Sequence, residues 1–143
     1  MNVFFDTSVL VPALVDQLSN HPACFAVFRT YTSGENSGYC STHSLAECYS
    51  VLTSLPLPRR VSTVEARLLI EESIMKNLNV VALTQSDYSQ AITAVSNNAL
   101  AGGIIYDALH AAAARKSGYS RLYTYNLIHF TRLGFEDIEI RMP

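Results

Sequence analysis

Short apolar runs alternate along the chain with longer stretches in which apolar residues recur at helical spacing. The first run, Val3-Phe4-Phe5, is followed by Asp6-Thr7-Ser8, a group of polar residues typical of helix N-caps. This pattern predicts a strand that leads directly into a helix. In order, the predicted strands cover residues 3–5, 39–41, 80–83, 122–124 and 138–140.

The segments between these strands carry start and stop signals for helices. The predicted helices begin after residue 6, cover residues 23–32, 43–55 and 62–77, begin again at 84, and cover residues 105–116 and 127–133. Thr42 is the expected N-cap of the helix over 43–55, and Ser62 and Thr84 each open a capping-box pattern. Strands that alternate with helices over the whole length predict an α/β fold with a mainly parallel central sheet flanked by helices.

Composition supports one domain, residues 1–143, that folds without disulfides. Hydrophobic residues make up 49% of the 143 and charged residues 15%, so a sizeable core can form. With 10 Lys+Arg against 12 Asp+Glu, the net charge of −2 excludes broad electrostatic coating of nucleic acid or membrane. Any polyanion must therefore be held locally.

Localisation signals point to the cytoplasm. Cys24, Cys40 and Cys48 form an odd set with no C-x-x-C pair, which favours reduced thiols. No apolar run approaches the ~20 residues of a membrane span, and Asp6 comes too early for a signal peptide. We expect a soluble cytoplasmic protein with no membrane association.

Acidic and amide side chains fall where a parallel sheet places its functional crevice. Asp6 follows the first strand and Asn126 follows the strand over 122–124, so both point to the carboxyl edge of the sheet. Glu47 and Asp107 lie in otherwise apolar helical segments. Each alone could be an ordinary acid on a helix surface. Together the three acids and the amide indicate a hard divalent metal, Mg²⁺ or Mn²⁺, because buried carboxylates repel unless a cation neutralises them.

These residues resemble the PIN-domain family, most closely its VapC-type toxin ribonucleases. Four blocks carry the resemblance: Asp6-Thr7-Ser8, Ser44-Leu45-Ala46-Glu47, Tyr106-Asp107-Ala108-Leu109-His110 and Thr124-Tyr125-Asn126-Leu127. The resemblance implies a three-layer fold and a Mg²⁺- or Mn²⁺-dependent endoribonuclease, the toxin of a type II toxin–antitoxin module. It also implies a homodimer inhibited by a cognate antitoxin protein.

The same resemblance assigns expected roles to individual side chains. Asp6, Glu47, Asp107 and Asn126 would be the catalytic and metal-binding residues, with Asn126 in a position where an acid is often found. Ser8 and Thr124 would be supporting hydroxyls. The metal would activate a water molecule for in-line hydrolysis of the RNA phosphodiester.

Basic residues are the candidates for contact with the RNA backbone. Because the net charge is slightly negative, local cations must guide the strand. The candidates are Arg59, Arg60, Arg115 and Lys116, with Arg121 and Arg132 as further possibilities. Arg59 and Arg60, on a proline-rich loop, are the preferred pair, although any one of these residues taken alone more often belongs to a solvated surface.

Two histidines lie near the acids in sequence. His43 precedes Glu47 by four residues and His110 follows Asp107 by three, so each shares a helix face with an acid. We interpret both as structural, with hydrogen bonding to an acid as a minor role, and leave His129 unassigned.

Two other functions are alternatives to the ribonuclease. One is a catalytically weak PIN-like module that binds RNA or protein. Another is a phosphotransfer or dehalogenase-like α/β enzyme with Asp6 as nucleophile, which would need a second acid where Ser8 stands.

Overall fold

Five parallel strands and seven helices make up the part of the chain that the computed structural model describes, residues 1–119, 121–134 and 136–143. The strands are β1 (Asn2–Phe5), β2 (Ser37–Ser41), β3 (Asn79–Val81), β4 (Arg121–Tyr123) and β5 (Glu139–Arg141). The helices are α1 (Thr7–Leu14), α2 (His21–Thr30), α3 (Thr42–Ser54), α4 (Thr63–Leu69), α5 (Gln85–Asn97), α6 (Ile104–Lys116) and α7 (Leu127–Arg132).

The sheet has the strand order β3-β2-β1-β4-β5, and every neighbouring pair is parallel. In the centre, Val3 of β1 lies opposite Gly38 of β2 on one side and Arg121 of β4 on the other. The predicted parallel sheet is therefore confirmed. Its carboxyl edge carries the residues that follow β1, β4 and β5.

Helices cover both faces of the sheet, which gives three layers. Val3, Phe4 and Phe5 are fully buried, as expected for a central strand enclosed on both sides. Phe5 belongs to the core that α1 to α4 complete, whereas Phe4 packs with the alanines of α6 and with Phe130 of α7. The three-layer α/β class predicted from the sequence is confirmed.

Local differences from the sequence prediction are confined to boundaries and caps. Ser41, not Thr42, is the N-cap of α3, because Ser41 has the extended backbone of a cap and forms a reciprocal capping box with Ser44. The helix predicted over 62–77 is α-helical only through Leu69 and continues as a π-helical segment, Ile70–Met75. The strand predicted over 80–83 is shifted to Asn79–Val81 by its register with β2.

Two of the localisation signals have a structural counterpart. Cys24, Cys40 and Cys48 are buried free thiols. Within the described residues, no helix has both the length and the apolar character needed to cross a bilayer.

Gly38 of β2 lies so close to core residues that a side chain at this position has no room. A Cβ at this position would lie 2.7 Å from Leu78 Cδ2, 2.9 Å from Phe5 Cε2 and 3.1 Å from the Tyr31 carbonyl oxygen. We therefore expect Gly38→Ala to lower the free energy of unfolding by about 1–3 kcal/mol, because the added methyl overpacks the core. Urea denaturation followed by circular dichroism would measure the change.

The matched control for this substitution is Gly103→Ala. Gly103 has φ −64°, and a Cβ there would meet nothing within 4 Å. Its stability should stay within about 0.5 kcal/mol of the wild type. Equal stability of the two variants would contradict the account of Gly38.

Candidate active site

Asp6 stands at the carboxyl end of the central strand, where the chain leaves β1 and enters α1. Its backbone N–H donates to the Tyr123 carbonyl at 3.0 Å, which continues the pairing between β1 and β4 by one residue. Asp6 holds the N-cap position of α1, yet its side chain makes no capping hydrogen bond. The residue is only 1% exposed, so its carboxylate is buried at the edge of the sheet.

One oxygen of the Asp6 carboxylate is saturated with donors. Asp6 Oδ2 accepts hydrogen bonds from Ser8 Oγ at 2.6 Å, Thr124 Oγ1 at 2.7 Å and Asn126 Nδ2 at 3.3 Å. The two hydroxyls are themselves held, because Ser8 Oγ accepts from Tyr125 N and Thr124 Oγ1 accepts from Asn126 N, each at 2.9 Å. The orientation of the carboxylate is thereby fixed by residues from both ends of the chain.

The other Asp6 oxygen faces Glu47 and His110. Asp6 Oδ1 and His110 Nε2 are buried atoms that find no hydrogen-bond partner among the described residues, and the buried Glu47 Oε2 lies 3.0 Å from His43 Nε2. His110 Nε2 lies 3.5 Å from Asp6 Oδ1 and 3.4 Å from Glu47 Oε2, and ligand atoms of the three residues lie within 4.8 Å of one another. Two carboxylates and an imidazole thus converge from β1, α3 and α6.

The His110 ring is held from its far side by the cap of α3. His110 is 0% exposed, and its Nδ1 lies 3.3 Å from Ser41 Oγ and 3.4 Å from Ser44 Oγ. Burial alone would lower the pKa of His110, but the carboxylates of Glu47 and Asp6 raise it above its ordinary value. The two carboxylates therefore favour the protonated form of this imidazole.

Asp107 lies in the first turn of α6 and contacts a different histidine. His129 Nδ1 lies 2.6 Å from Asp107 Oδ2, and the Asp107 residue is 6% exposed. Burial and the nearby Asp6 carboxylate raise the pKa of Asp107, while His129 offsets part of this effect. Asp107 thus shares the electrostatic field of Asp6, although it is not one of the three residues grouped above.

Glu47 is the partly exposed member of the cluster, with 29% of its side chain accessible. Burial alone would raise the pKa of Glu47, but His110 and His43 hold it below its ordinary value. His43 Nε2 lies 3.0 Å from Glu47 Oε2, and the His43 ring stacks on Tyr106 with centroids 5.0 Å apart. Glu47 is therefore an ionised carboxylate at the mouth of the site.

A sequence model of the PIN domain matches residues 3–136 of the chain. The chain belongs to the PIN-domain family. It is 34% identical over 109 residues to ribonuclease VapC27 of Mycobacterium tuberculosis, covering 76% of this chain and 74% of that protein. It is 30% identical over 123 residues to ribonuclease VapC40 of the same organism, covering 85% and 84% of the two chains.

Solved structures share the fold of this PIN domain at low sequence identity. The crystal structure of VapC20 of Mycobacterium tuberculosis, described as a sarcin-ricin loop cleaving toxin, matches with a TM-score of 0.72 and 18% identity over 90% of this chain and 93% of that one. VapBC2 of Rickettsia felis, solved with a DNA fragment of its promoter, matches with a TM-score of 0.68 and 16% identity over 100% and 99%.

The donor set of this PIN domain fits a divalent cation. Buried carboxylate oxygens without hydrogen bonds are uncommon in folded proteins, because each leaves a desolvated charge unsatisfied. Here Asp6 Oδ1 is in that condition, and it faces the same point as Glu47 Oε2. A cation between them would satisfy both oxygens and reduce their repulsion.

The structure brings together the acidic and hydroxyl residues predicted from the sequence, but not the basic ones. Arg59 is hydrogen-bonded through its backbone to Gln17, beyond the C-terminal end of α1, whereas Asp6 precedes the N-terminal end about 12 Å away along the helix. Arg115 and Lys116 end α6 and form ion pairs with Asp137 and Asp87.

Two residues near the acids, His110 and Arg141, were not among the site residues predicted from the sequence. The spacing of His110 from Asp107 was visible, but only the packing of α3 against α6 places its ring between Asp6 and Glu47. Arg141 ends β5, and its carbonyl accepts a hydrogen bond from Thr124 N at 2.9 Å. The rule that located Asp6 and Asn126, that functional residues follow parallel strands, also applies to Arg141.

Burial and charge repulsion at Asp107 predict that Asp107→Asn stabilises the metal-free protein. Because the pKa of Asp107 is raised in the folded state, the folded protein binds this proton more readily than the unfolded chain does. Stability therefore falls as the pH rises from the ordinary pKa of Asp107 through the raised one. Asp107→Asn should raise the melting temperature of the metal-free protein at pH 7 by about 2–4 °C, and by less at pH 4.

Differential scanning fluorimetry in the presence of a chelator would measure this shift. Asp16→Asn is the matched control, since Asp16 is an exposed acid beyond the far end of α1. It should change the melting temperature little at either pH. A lower melting temperature for Asp107→Asn at pH 7 would contradict the repulsion argument.

Proposed function

We propose that this PIN domain is a metal-dependent endoribonuclease that hydrolyses RNA phosphodiester bonds, and that it is the toxin of a type II toxin–antitoxin module. The observation that carries the proposal is the asymmetry of the Asp6 carboxylate. One oxygen accepts three hydrogen bonds, and the other is buried, free of hydrogen bonds and aimed at Glu47 and His110. The VapC names of its curated relatives support the same activity.

In this proposal some residues bind the cation, and others orient the side chains that bind it. Asp6, Glu47 and Asp107 would bind Mg²⁺ or Mn²⁺, with Asn126 at the fourth position. Ser8 and Thr124 keep Asp6 in one orientation through its Oδ2. When bound, the metal lowers the pKa of a water molecule and stabilises negative charge on the phosphate oxygens.

A non-catalytic interaction module is less well supported. Such a module gains nothing from burying Asp6 and Asp107 together, because burial and the repulsion between the two acids raise the pKa of Asp107 and disfavour folding at neutral pH. The arrangement is useful to a protein that binds a cation there. The position of the acids therefore favours the enzyme.

The proposed partners follow from the neighbours of the fold. Several structures with this fold are described as VapBC or FitAB assemblies, some of them bound to DNA. We propose that residues 1–143 form one PIN domain that dimerises, binds a cognate antitoxin protein and acts in the cytoplasm, where its three free thiols stay reduced.

Contact with the RNA backbone would begin near the acids. Arg141 lies at the carboxyl edge of the sheet next to Thr124, is 54% exposed, and is paired with Glu139 only at 3.8 Å. Arg132 lies about one turn beyond His129 on α7. We propose that these residues bind phosphates near the scissile bond, whereas Arg59, Arg60, Arg115 and Lys116 would contact RNA further away.

Removing one acid should stop the reaction without unfolding the protein. We expect Asp6→Asn and Asp107→Asn each to reduce cleavage of a fluorogenic RNA at least about 100-fold, because metal-based stabilisation is worth several kcal/mol. Asp16→Asn serves as the control and should cleave at the wild-type rate. Wild-type cleavage by a purified Asp6→Asn or Asp107→Asn protein would overturn the proposed function.

The proposed role of Arg141 can be tested by RNA affinity in the inactive Asp107→Asn background. Arg141→Ala should weaken binding of a short single-stranded oligonucleotide and reduce the slope of log affinity against log salt by about 0.7, the value for one phosphate contact. Fluorescence anisotropy over a salt series would measure both quantities.

Two comparison variants sharpen this measurement. Lys76→Ala removes an exposed cation that is paired with Glu72 beyond α4, and it should leave the salt slope unchanged. The Arg59→Ala, Arg60→Ala double variant should weaken binding only of RNA long enough to reach that loop. An unchanged salt slope for Arg141→Ala would exclude it as a phosphate contact.

A further inference from the structure

The buried imidazole of His110 occupies a position that the proposed all-oxygen metal site does not explain. Its Nε2 is fully buried, has no hydrogen-bond partner among the described residues, and lies 3.5 Å from Asp6 Oδ1 and 3.4 Å from Glu47 Oε2. A nitrogen that only compensated charge would hydrogen-bond to one of these carboxylates. It instead lies nearly equidistant from both.

These distances suit ligands around one ion better than a hydrogen bond. A charge-assisted N–H···O bond is usually about 2.7–2.9 Å long, and His129 Nδ1 approaches Asp107 Oδ2 to 2.6 Å in this protein. Two ligand atoms that each lie about 2.0–2.2 Å from a common metal are separated by about 2.8–3.6 Å as the bond angle widens from octahedral to tetrahedral. The separations of His110 Nε2 from both carboxylates fall in the second range.

The other ring nitrogen has the partners that a metal-binding histidine requires. Ser41 Oγ and Ser44 Oγ both lie within hydrogen-bond distance of His110 Nδ1, and each hydroxyl can accept its proton. With the proton on Nδ1, the lone pair of Nε2 points between Asp6 and Glu47. A histidine ligand almost always donates its second N–H in this way, which fixes the tautomer and the ring orientation.

We propose that His110 Nε2 is a direct ligand of the divalent metal, together with carboxylate oxygens of Asp6 and Glu47. This inference rests on the metal dependence put forward under the proposed function, and changes the expected ligand set from all oxygen to mixed nitrogen and oxygen. The bound nitrogen must be unprotonated, so metal binding releases a proton from His110 to solvent whenever Nε2 carries one.

The mixed ligand set has a consequence for metal preference. Mg²⁺ is a hard ion that takes oxygen ligands, whereas imidazole favours the first-row transition metals. We therefore expect this PIN domain to bind Mn²⁺ more tightly than Mg²⁺. Replacing the nitrogen by an oxygen donor of similar reach, in His110→Gln, should reduce that preference at least about tenfold, as measured by calorimetry.

The direct test is pulsed electron paramagnetic resonance of Mn²⁺ bound to the full chain, with histidine labelled by ¹⁵N or left as ¹⁴N. The expected result is a coupling to one histidine nitrogen that changes with the label. His43→Gln and His129→Gln are matched controls, because each of these histidines also contacts an acid of the cluster. Both should keep the nitrogen signal, whereas His110→Gln should lose it and still bind Mn²⁺.

The outcomes separate this inference from the proposed function. Mn²⁺ that binds and supports RNA cleavage without a histidine coupling would overturn the role of His110 alone. A coupling that persists in His110→Gln, or disappears in His43→Gln or His129→Gln, would do the same, and the last two variants keep the test valid if His110→Gln does not fold. Failure of wild-type protein to bind either ion would overturn both proposals, whereas Mn²⁺ that binds with a histidine coupling but supports no RNA cleavage would overturn the proposed function alone.

Discussion

The repulsion between buried carboxylates at one edge of the sheet is the constraint on which the site depends. Asp6 and Asp107 are both nearly inaccessible to water, and Glu47 adds a third charge beside Asp6. Such a cluster disfavours the folded state at neutral pH unless cationic groups neutralise it. Three of the four histidines of the chain, His43, His110 and His129, accordingly contact one of these acids.

The fold supports this cluster with groups that also have ordinary structural duties. Ser41 and Ser44 form the capping box of α3, and the same two hydroxyls lie against His110. Ser8 belongs to the first turn of α1 and Thr124 directly follows β4, yet both donate to Asp6. A substitution at Ser41 or Ser44 would therefore disturb both the cap of α3 and the surroundings of His110.

The two oxygens of the Asp6 carboxylate have different roles: the fold holds one, and the other is available to a cation. Three donors from the chain hold Oδ2, so the carboxylate cannot rotate without losing all of them. Oδ1 is thereby fixed in direction as well as buried. Preorganisation of this kind means that a cation does not have to pay the entropic cost of ordering its ligand, which is a general requirement for tight and specific metal sites.

The order of strands and helices, the parallel sheet and the gathering of Asp6 and Asn126 at its edge were all determined by the sequence. Periodicity is a local property, and parallel strands bring the residues that follow them to a common edge. Tertiary packing decided the rest. The position of His110 depends on how α3 and α6 lie against each other, and the distance of Arg59 from the acids depends on where its loop packs near the C-terminal end of α1. Neither can be read from spacing along the chain, because both depend on contacts between residues far apart in sequence.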